Sequence, residues 1–223
     1  MILDALRDAR ALLFPVDCAG CSAPDRGVCP RCTALLNPAV TPRRTPSGLV
    51  VNTAVRYEGE VRRVILALKE EGRTGVAWYL ARPFGAAVRA ALDEHPDALV
   101  VPVPSSATGY RRRGFDPVRL LLRKSGVPFA RPLSAVRQRG VQKTLGRDDR
   151  ALNLRGAFAA RRPLTGRSVI LADDILTTGA TFDEAARAIA RAGGVVVGAA
   201  ALAFTPRLHR TRDIPEGDDY GGD

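Results

Sequence analysis

The sequence feature that most constrains the fold is residues 169–182, where an apolar run, two acids and a turn follow one another. The apolar residues 169–172 predict a short buried strand, with Asp173 and Asp174 at its carboxyl end. A turn rich in threonine and glycine follows, and a helix is predicted to begin at Phe182. Free N–H groups at a helix N-terminus bind phosphate, and carboxylates bind sugar hydroxyls or a metal ion. This order of elements therefore predicts a site for a sugar phosphate.

A plain helix cap and a Walker B strand each match part of this stretch. Thr181 and Glu184 have the spacing of a capping box, which would make them an ordinary helix start. A capping box leaves the two acids and the Thr-Thr-Gly turn from Thr177 unaccounted for. A Walker B strand also ends in acids, but its partner loop needs a lysine directly after a glycine. The chain has three lysines, Lys69, Lys124 and Lys143, and none of them follows a glycine. This excludes that type of nucleoside triphosphatase.

The bulk composition is that of an ordinary globular protein. At 223 residues and 46% hydrophobic, the chain has the size of one domain, or of one domain with a small appendage. No apolar run approaches the roughly 18 residues of a membrane span; the longest, Val195 to Phe204, has the length of a buried strand. Charges among the first ten residues predict a short amphipathic helix instead of a signal peptide. We therefore expect a cytoplasmic protein without membrane insertion.

The net charge of +11 is concentrated in one middle segment. Between Tyr110 and Arg150 there are twelve basic and three acidic residues, a net charge of +9. A field of this sign attracts polyphosphates or nucleic acid.

All four cysteines lie in one short segment with the spacing Cys18-x2-Cys21-x7-Cys29-x2-Cys32. Two Cys-x-x-Cys pairs let four thiolates converge on one tetrahedral ion, so the spacing predicts a structural zinc site. The alternative is two disulfides, which are rare in a cytoplasmic protein. Metal binding would supply the folding free energy that so small a module lacks.

The sequence divides into three parts. Residues 1–46 are expected to hold the N-terminal helix, the zinc module and a linker, the linker being indicated by the prolines at 38, 42 and 46 together with Arg43, Arg44 and Ser47. Residues 47–205 form the main domain, and the polar residues 206–223 are expected to be disordered.

The main domain alternates predicted strands and helices, which favours a mainly parallel sheet flanked by helices. Ligands of such sheets bind beyond the carboxyl ends of the strands, where the acids and the turn fall. The predicted strands are 49–57, 98–103, 127–133, 157–158, 169–172 and 195–204. The predicted helices are 61–68, 76–92 (kinked or split at Pro83), 117–124 and one that begins at Phe182 and ends at Gly193.

Two further segments carry a family resemblance. One is Val100-Val101-Pro102-Val103-Pro104-Ser105-Ser106 followed by Tyr110-Arg111-Arg112-Arg113-Gly114-Phe115-Asp116. The other is Gln142-Lys143-Thr144-Leu145-Gly146-Arg147, then Arg150-x-x-Asn153-x-x-Gly156-Ala157-Phe158. With the four cysteines and the acid-and-turn motif, the chain from about Leu12 to Phe204 resembles the ComF family, which is related to type I phosphoribosyltransferases. The family usually has Asn-Gln where this chain has Asp116-Pro117.

The resemblance implies a type I phosphoribosyltransferase-like fold and a phosphoribosyl pyrophosphate site with Mg²⁺. Asp173 and Asp174 would bind the ribose hydroxyls and are the candidate catalytic residues, and Thr177 to Thr181 would wrap the 5′-phosphate. Polar residues 138–149 resemble the hood that closes over the substrate in this fold. The full set of implied ligand-binding residues is Asp173, Asp174, Thr177, Thr178, Gly179, Ala180, Thr181, Ser105, Arg111 and Arg113.

Two assignments around the pyrophosphate stay open on the sequence. The segment Val103 to Ser106 has the position of a pyrophosphate loop, and it also fits a plain strand exit that is bounded by prolines. The run Arg111 to Arg113 suits pyrophosphate, because guanidinium binds phosphate in a bidentate way, and it equally suits solvent or DNA.

Two functional hypotheses follow. The first is an enzyme that uses phosphoribosyl pyrophosphate and Mg²⁺, with an unknown acceptor; the acid pair supports it, because a pure DNA-binding protein needs no ribose-binding carboxylates. The second is a binding module that keeps the fold and serves DNA uptake, and the basic segment and the zinc module support it. The resemblance implies a role in natural transformation, with single-stranded DNA and a helicase-like partner.

Overall fold

The structure is a computed structural model that describes residues 16–24, 26–136 and 156–206. Several predicted features therefore lie outside the described residues: the N-terminal helix, the hood at 138–149, the segment from Gln142 to Asn153, and residues 207–223 of the tail.

The described strands are β1 (Thr41–Arg44), β2 (Val50–Arg56), β3 (Leu99–Pro102), β4 (Leu133–Ala135), β5 (Phe158–Ala160), β6 (Ser168–Leu176) and β7 (Val195–Phe204). Five of them form the central sheet, with the order β1-β2-β7-β6-β3. The pairs β2–β7, β7–β6 and β6–β3 are parallel, and the edge strand β1 is antiparallel to β2. A separate antiparallel hairpin is formed by β4 and β5. The predicted, mainly parallel sheet is confirmed.

Helices cover both faces of the sheet and form two apolar cores. Phe84 and Leu202 belong to the core beside α3 (Ala77–Glu94), while Phe182 and Leu171 belong to the core beside α6 (Ala180–Arg191). The helix that contains Pro83 is neither split nor interrupted. The helices are α1 (Pro30–Leu35), α2 (Gly59–Lys69), α3 (Ala77–Glu94), α4 (Ala107–Arg113), α5 (Pro117–Lys124) and α6 (Ala180–Arg191).

The structure differs from the sequence prediction at two strands. The strand predicted at 127–133 is wrong: only Leu133–Ala135 is a strand, because Pro128 and Pro132 have no N–H group to donate to a ladder. Part of the predicted linker, Thr41–Arg44, is an edge strand instead. Pro42 is compatible with that position, because one side of an edge strand needs no donor.

The cysteine module packs against α2 and shares its core with the main domain. Cys18, Cys32 and Leu36 are buried in the same cluster as Val64 of α2. The Arg63 side chain donates a hydrogen bond to the Gly20 carbonyl. The module is therefore attached to the helix that ends at Lys69. Among the described helices, none is both long and apolar enough to cross a membrane.

Candidate functional site

The two acids lie in the second half of β6, which is longer than the predicted strand. The partner strand β3 ends at Pro102, opposite Ala172, whereas the pairing with β7 continues from Asp173 to Leu176. The acids therefore project beyond β3 on one side while β7 holds their backbone on the other. Side chains at such an uneven sheet edge are available to a ligand at the carboxyl ends of the strands.

Lys69 at the end of α2 is the direct partner of the acid pair. Its Nζ lies 2.9 Å from both carboxylate oxygens of Asp174, and both side chains are mostly buried. The Asp174 N–H donates to Oδ1 of Asp173 at 2.8 Å. Lys69 therefore neutralises one carboxylate and leaves the other without a cationic partner of its own among the described side chains.

The electrostatic consequence is a divided acid pair. Burial and the negative charge of Asp174 raise the pKa of Asp173 to about 8. Burial opposes the charge on Lys69, but Asp174 outweighs that effect and raises the pKa of Lys69. At neutral pH the site therefore holds an ion pair beside a carboxyl group that is largely protonated. A cation or a hydroxyl ligand would favour the ionised form of that group.

The turn after β6 leads directly into a helix N-terminus. Gly179 is the residue before α6 and has φ of 89°, a left-handed conformation that glycine adopts without strain. Gly179 has no side chain to cap this helix, and the first N–H of the helix, that of Ala180, donates a long hydrogen bond of 3.4 Å to Oγ1 of Thr178. The capping-box alternative is wrong, because Glu184 accepts from the Gly156 N–H at 2.8 Å and binds Arg187 instead. The first N–H groups of α6 therefore face the turn, as phosphate binding requires.

The segment that follows β1 packs against the turn before α6. Ser47 donates a hydrogen bond of 2.6 Å to Asp183 in the first turn of α6. A Cβ placed on Gly179 would lie 2.8 Å from Cβ of Thr45 and 3.1 Å from Pro46. The close approach requires glycine at this position and fixes the turn against the segment after β1.

A basic cavity of about 680 Å³ lies at the end of β3, and we call it the β3 cavity. The exit loop of β3 forms one wall, and the Val103 N–H donates to the Ala172 carbonyl at 2.8 Å, directly before the acids. The β4–β5 hairpin forms another wall. The charged lining consists of Arg111, Arg119, Arg131, Arg161, Arg162 and one carboxylate, Asp116. An excess of guanidinium groups in a cavity suits a polyanion.

The implied pyrophosphate residues separate into two groups. Ser105 and Arg111 line the β3 cavity. Arg113 does not: its guanidinium turns toward the backbone oxygen of Lys69, at 3.4 Å. Ser106 caps α4 by accepting from the Gly109 N–H at 3.1 Å, so the segment after β3 is at once a helix start and a cavity wall.

Sequence reasoning missed Lys69 and the arginine pair Arg161–Arg162. Lys69 carries a signal in hindsight, since it is one of three lysines in a chain with 31 arginines. The arginine pair directly follows β5, and pairing of Leu133 with Ala160 brings it to the cavity. That pairing joins residues far apart in the chain, which a local pattern does not predict.

The four cysteines form one cluster of free thiols. Their sulfur atoms all lie within 4.8 Å of one another, and those of Cys21 and Cys29 are 3.6 Å apart. Zinc–sulfur bonds of about 2.3 Å in a tetrahedron require sulfur separations of about 3.8 Å, so the cluster fits a zinc ion. The disulfide alternative is not what the structure has. Burial opposes ionisation of Cys18, but backbone N–H groups outweigh it and lower the pKa of that thiol to about 6.

Comparison with known families finds a match to the phosphoribosyl transferase domain over residues 111–220. The matched region begins in α4 and contains β6, both acids and the turn at the start of α6. The predicted phosphoribosyltransferase-like domain is therefore confirmed by an independent comparison.

Curated relatives carry the name DNA utilization protein YhgH. The protein from Escherichia coli K12 is 27% identical over 198 residues, which cover 81% of this chain and 85% of its own length. The protein from Salmonella typhi is 31% identical over 107 residues, 44% of this chain and 45% of its own. Similarity along most of the chain confirms the predicted ComF-like relationship.

Solved structures with a detectable likeness include phosphoribosyltransferases. A purine phosphoribosyltransferase from Pyrococcus horikoshii is 17% identical, covering 58% of this chain and 75% of its own, with a TM-score of 0.34. An adenine phosphoribosyltransferase is 14% identical, covering 78% of this chain and 89% of its own, with a TM-score of 0.40.

Proposed function

We propose that β6 and the turn after it bind phosphoribosyl pyrophosphate. The proposal starts from the relationship of this chain, which carries a phosphoribosyl transferase domain and is a ComF-like homologue of the DNA utilization protein YhgH. One observation carries the proposal. Three features lie along one edge of the sheet: an acid pair, a helix N-terminus and a cavity rich in arginine. A sugar that bears a phosphate at one end and pyrophosphate at the other needs these three groups.

Each part of the proposed ligand has a partner. Asp173 and Asp174 accept hydrogen bonds from the ribose hydroxyls, and the turn from Thr177 to Thr181 holds the 5′-phosphate. Ser105 and Arg111 of the β3 cavity bind the pyrophosphate. Lys69 holds Asp174 in place until the ligand arrives.

Magnesium fits the same edge, since Mg²⁺ binds through one or two carboxylates together with ligand phosphates. Asp173 and Asp174 are the carboxylates that would hold it, and the ion would neutralise charge on pyrophosphate. Departure of pyrophosphate in exchange for an acceptor would make the protein a transferase. Zinc at Cys18, Cys21, Cys29 and Cys32 completes the proposed metal content.

Calorimetric titration with phosphoribosyl pyrophosphate and MgCl₂ tests the proposal. We expect saturable binding by the wild type and at least roughly tenfold weaker binding by Asp173→Asn/Asp174→Asn, because charge-assisted hydrogen bonds to the ribose are lost. Arg82→Gln, an exposed change on α3, is the control and should bind as the wild type does. Absence of binding by folded wild type would refute the proposal.

A second candidate function is contact with single-stranded DNA during DNA uptake in natural transformation, with a helicase-like partner. The name of the curated relatives favours it, and so does the excess of arginine at the β3 cavity. Proteins that bind nucleic acid by phosphate contacts lose affinity steeply with salt. We expect the salt dependence of oligo-dT binding to become shallower by about one unit of log–log slope for each removed contact in Arg111→Gln and Arg161→Gln. An unchanged slope in both variants would remove this cavity as the DNA contact.

A further inference from the structure

A second basic cavity lies at the opposite side of the acids from the β3 cavity. It has a volume of about 470 Å³ and opens where β6 and β7 end, so we call it the β7 cavity. Leu176 and Phe204 form the last paired residues of these strands, and the Thr205 N–H donates to the Leu176 carbonyl at 2.9 Å. The lining residues that matter are Arg43, Arg44, Arg56, Thr177, Thr178 and Phe204. The proposed phosphoribosyl pyrophosphate site uses only the two threonines of this set.

Two side chains that line the β7 cavity, Arg43 and Phe204, stack on each other. The guanidinium carbon of Arg43 lies 3.3 Å from the centroid of the Phe204 ring, in the geometry of a cation–π contact. The Nε atom of Arg43 is buried and has no hydrogen-bond partner among the residues that the structure describes. Because this atom is buried, Arg43 can meet a ligand in the cavity only through the rest of its guanidinium group.

The charges around the cavity are unbalanced. Three arginines line it, and no carboxylate does so within the described parts of the chain. One lining arginine has a counter-charge: Glu58 binds Arg56 at 3.2 Å, and both of those side chains are more than half exposed. Burial and the positive charge of Arg56 both lower the pKa of Arg43, so the two guanidinium groups repel each other in the absence of an anion.

The shape of the cavity fits a small molecule. A volume of about 470 Å³ lies within the range of roughly 300–1,000 Å³ that ligand pockets occupy. The outer face of a stacked guanidinium favours a flat ligand, because guanidinium groups stack on planar systems. The hydroxyls of Thr177 and Thr178 add donors beside the arginines.

We propose that the β7 cavity is a second ligand site, which binds a small planar molecule carrying a carboxylate or phosphate group. The arginines pair with the anionic group, and the Arg43–Phe204 stack supports the flat ring. This site goes beyond the proposed function, because it concerns a different ligand and does not require that the acids bind phosphoribosyl pyrophosphate.

The test uses isophthalate, a flat dianion, and isophthalamide, a neutral molecule of nearly the same shape. Titration of the full-length protein, without phosphoribosyl pyrophosphate, is expected to give saturable binding of isophthalate and at least roughly tenfold weaker binding of isophthalamide. Equal affinity for the two probes, or no binding of isophthalate, would overturn the proposal.

Variants locate the binding. Arg56→Gln shortens an exposed side chain only slightly and removes one charge, and we expect roughly tenfold weaker isophthalate binding. Arg43→Lys keeps the charge but not the planar stack, and it should also weaken binding, while the control Arg82→Gln should not. Unchanged affinity in both cavity variants would place the binding elsewhere and overturn the proposal.

A nucleic acid also offers flat rings and anionic groups, so it is the alternative ligand of this cavity. Titration with oligo-dT separates the two possibilities. The small-molecule assignment predicts that oligo-dT affinity is the same in the wild type, Arg56→Gln and Arg43→Lys. Tighter binding of the oligonucleotide than of isophthalate, lost in these two variants, would overturn the assignment in favour of nucleic acid.

Discussion

At the scale of single residues, the neighbouring carboxyl groups of Asp173 and Asp174 have different environments. Asp174 has a lysine at 2.9 Å, whereas Asp173 has Asp174 beside it and a backbone N–H from the same residue. One carboxylate is paired with a cation, and the other is pushed toward its protonated form. A carboxyl group whose pKa is raised in this way lowers the stability of the ligand-free protein, and such perturbed pKa values are typical of functional sites.

The raised pKa of Asp173 predicts how stability depends on pH. An aspartate in the unfolded chain titrates near pH 4, while burial and Asp174 raise the pKa of folded Asp173 to about 8. The folded state therefore holds a proton that the unfolded state has lost. This contribution is complete below about pH 4 and is lost as the pH rises through about 8. Asp173→Asn cannot ionise, so it should raise the melting temperature at about pH 8.5 by a few degrees and flatten its pH dependence.

Thermal unfolding of the wild type and Asp173→Asn at about pH 5, 7 and 8.5 measures this effect. Asp93→Asn changes an exposed aspartate and serves as the control. Melting curves of Asp173→Asn that run parallel to the wild type across this range would contradict the assigned pKa.

Gly179 should resist substitution for two separate reasons. Its φ of 89° strains any residue with a Cβ, and that Cβ would also lie 2.8 Å from Thr45. Gly179→Ala is therefore expected to cost more than about 2 kcal/mol of unfolding free energy and to weaken binding of inorganic phosphate. Gly166→Ala is the matched control, because its φ is 69° and no described atom lies within 4 Å of the added Cβ. Equal losses in chemical denaturation would show that the contact with Thr45 contributes nothing.

At the scale of elements, α2 connects the cysteine module to the acids. Arg63 on this helix binds the module, and Lys69 at its end binds Asp174. Lys69→Met keeps much of the length of the side chain and leaves Asp174 without its partner. We expect a loss of about 1–3 kcal/mol of unfolding free energy in urea denaturation. The double variant Lys69→Met/Asp174→Asn should recover most of it, since no unpaired charge remains; failure to recover would mean that Lys69 stabilises the fold in another way.

The first cysteine turn is packed too tightly for a side chain at Gly20. A Cβ on this residue would lie 2.6 Å from Sγ of Cys32 and 3.3 Å from Val64. Gly20→Ala should therefore displace one thiolate and reduce the bound zinc in a colorimetric metal assay on reduced protein. Gly27→Ala places its Cβ more than 4 Å from every described neighbour and should keep the wild-type zinc content. Full zinc in Gly20→Ala would show that this contact does not set the geometry of the cluster.

The elements also differ in how far the sequence determines them. Pro117–Lys124 and Val195–Phe204 match the prediction to the residue, because a proline start and a long apolar run are local signals. The strand that carries the acids is longer than predicted, since its polar half is held by pairing with β7. Thr41–Arg44 is a strand only because β2 lies beside it. Local sequence patterns therefore predict the elements that have a clear hydrophobic pattern of their own. They miss the strands that form only because a neighbouring strand pairs with them.

At the scale of the whole molecule, charge is sorted along one edge of the sheet. The acids of β6 lie between two groups of arginines, one in the β3 cavity and one in the β7 cavity. The sequence predicted the acids, the turn and the basic segment. It did not predict Lys69, Arg161 or Arg43 as neighbours of the site, because each reaches it through a tertiary contact.

The strand order has a consequence for how the chain folds as it is synthesised. Among the described strands, the one parallel partner of β2 is β7, which is also the last of them to leave the ribosome. The central pairing of the sheet must therefore wait until residues 195–204 have been made, and contacts between such distant segments slow folding. Until then β1 pairs with one edge of the apolar strand β2, and the other edge of β2 stays exposed. The apolar core that joins the cysteine module to α2 also contains Ala200, Leu202 and Ala203 of β7, so this core too is completed only after β7 has been made.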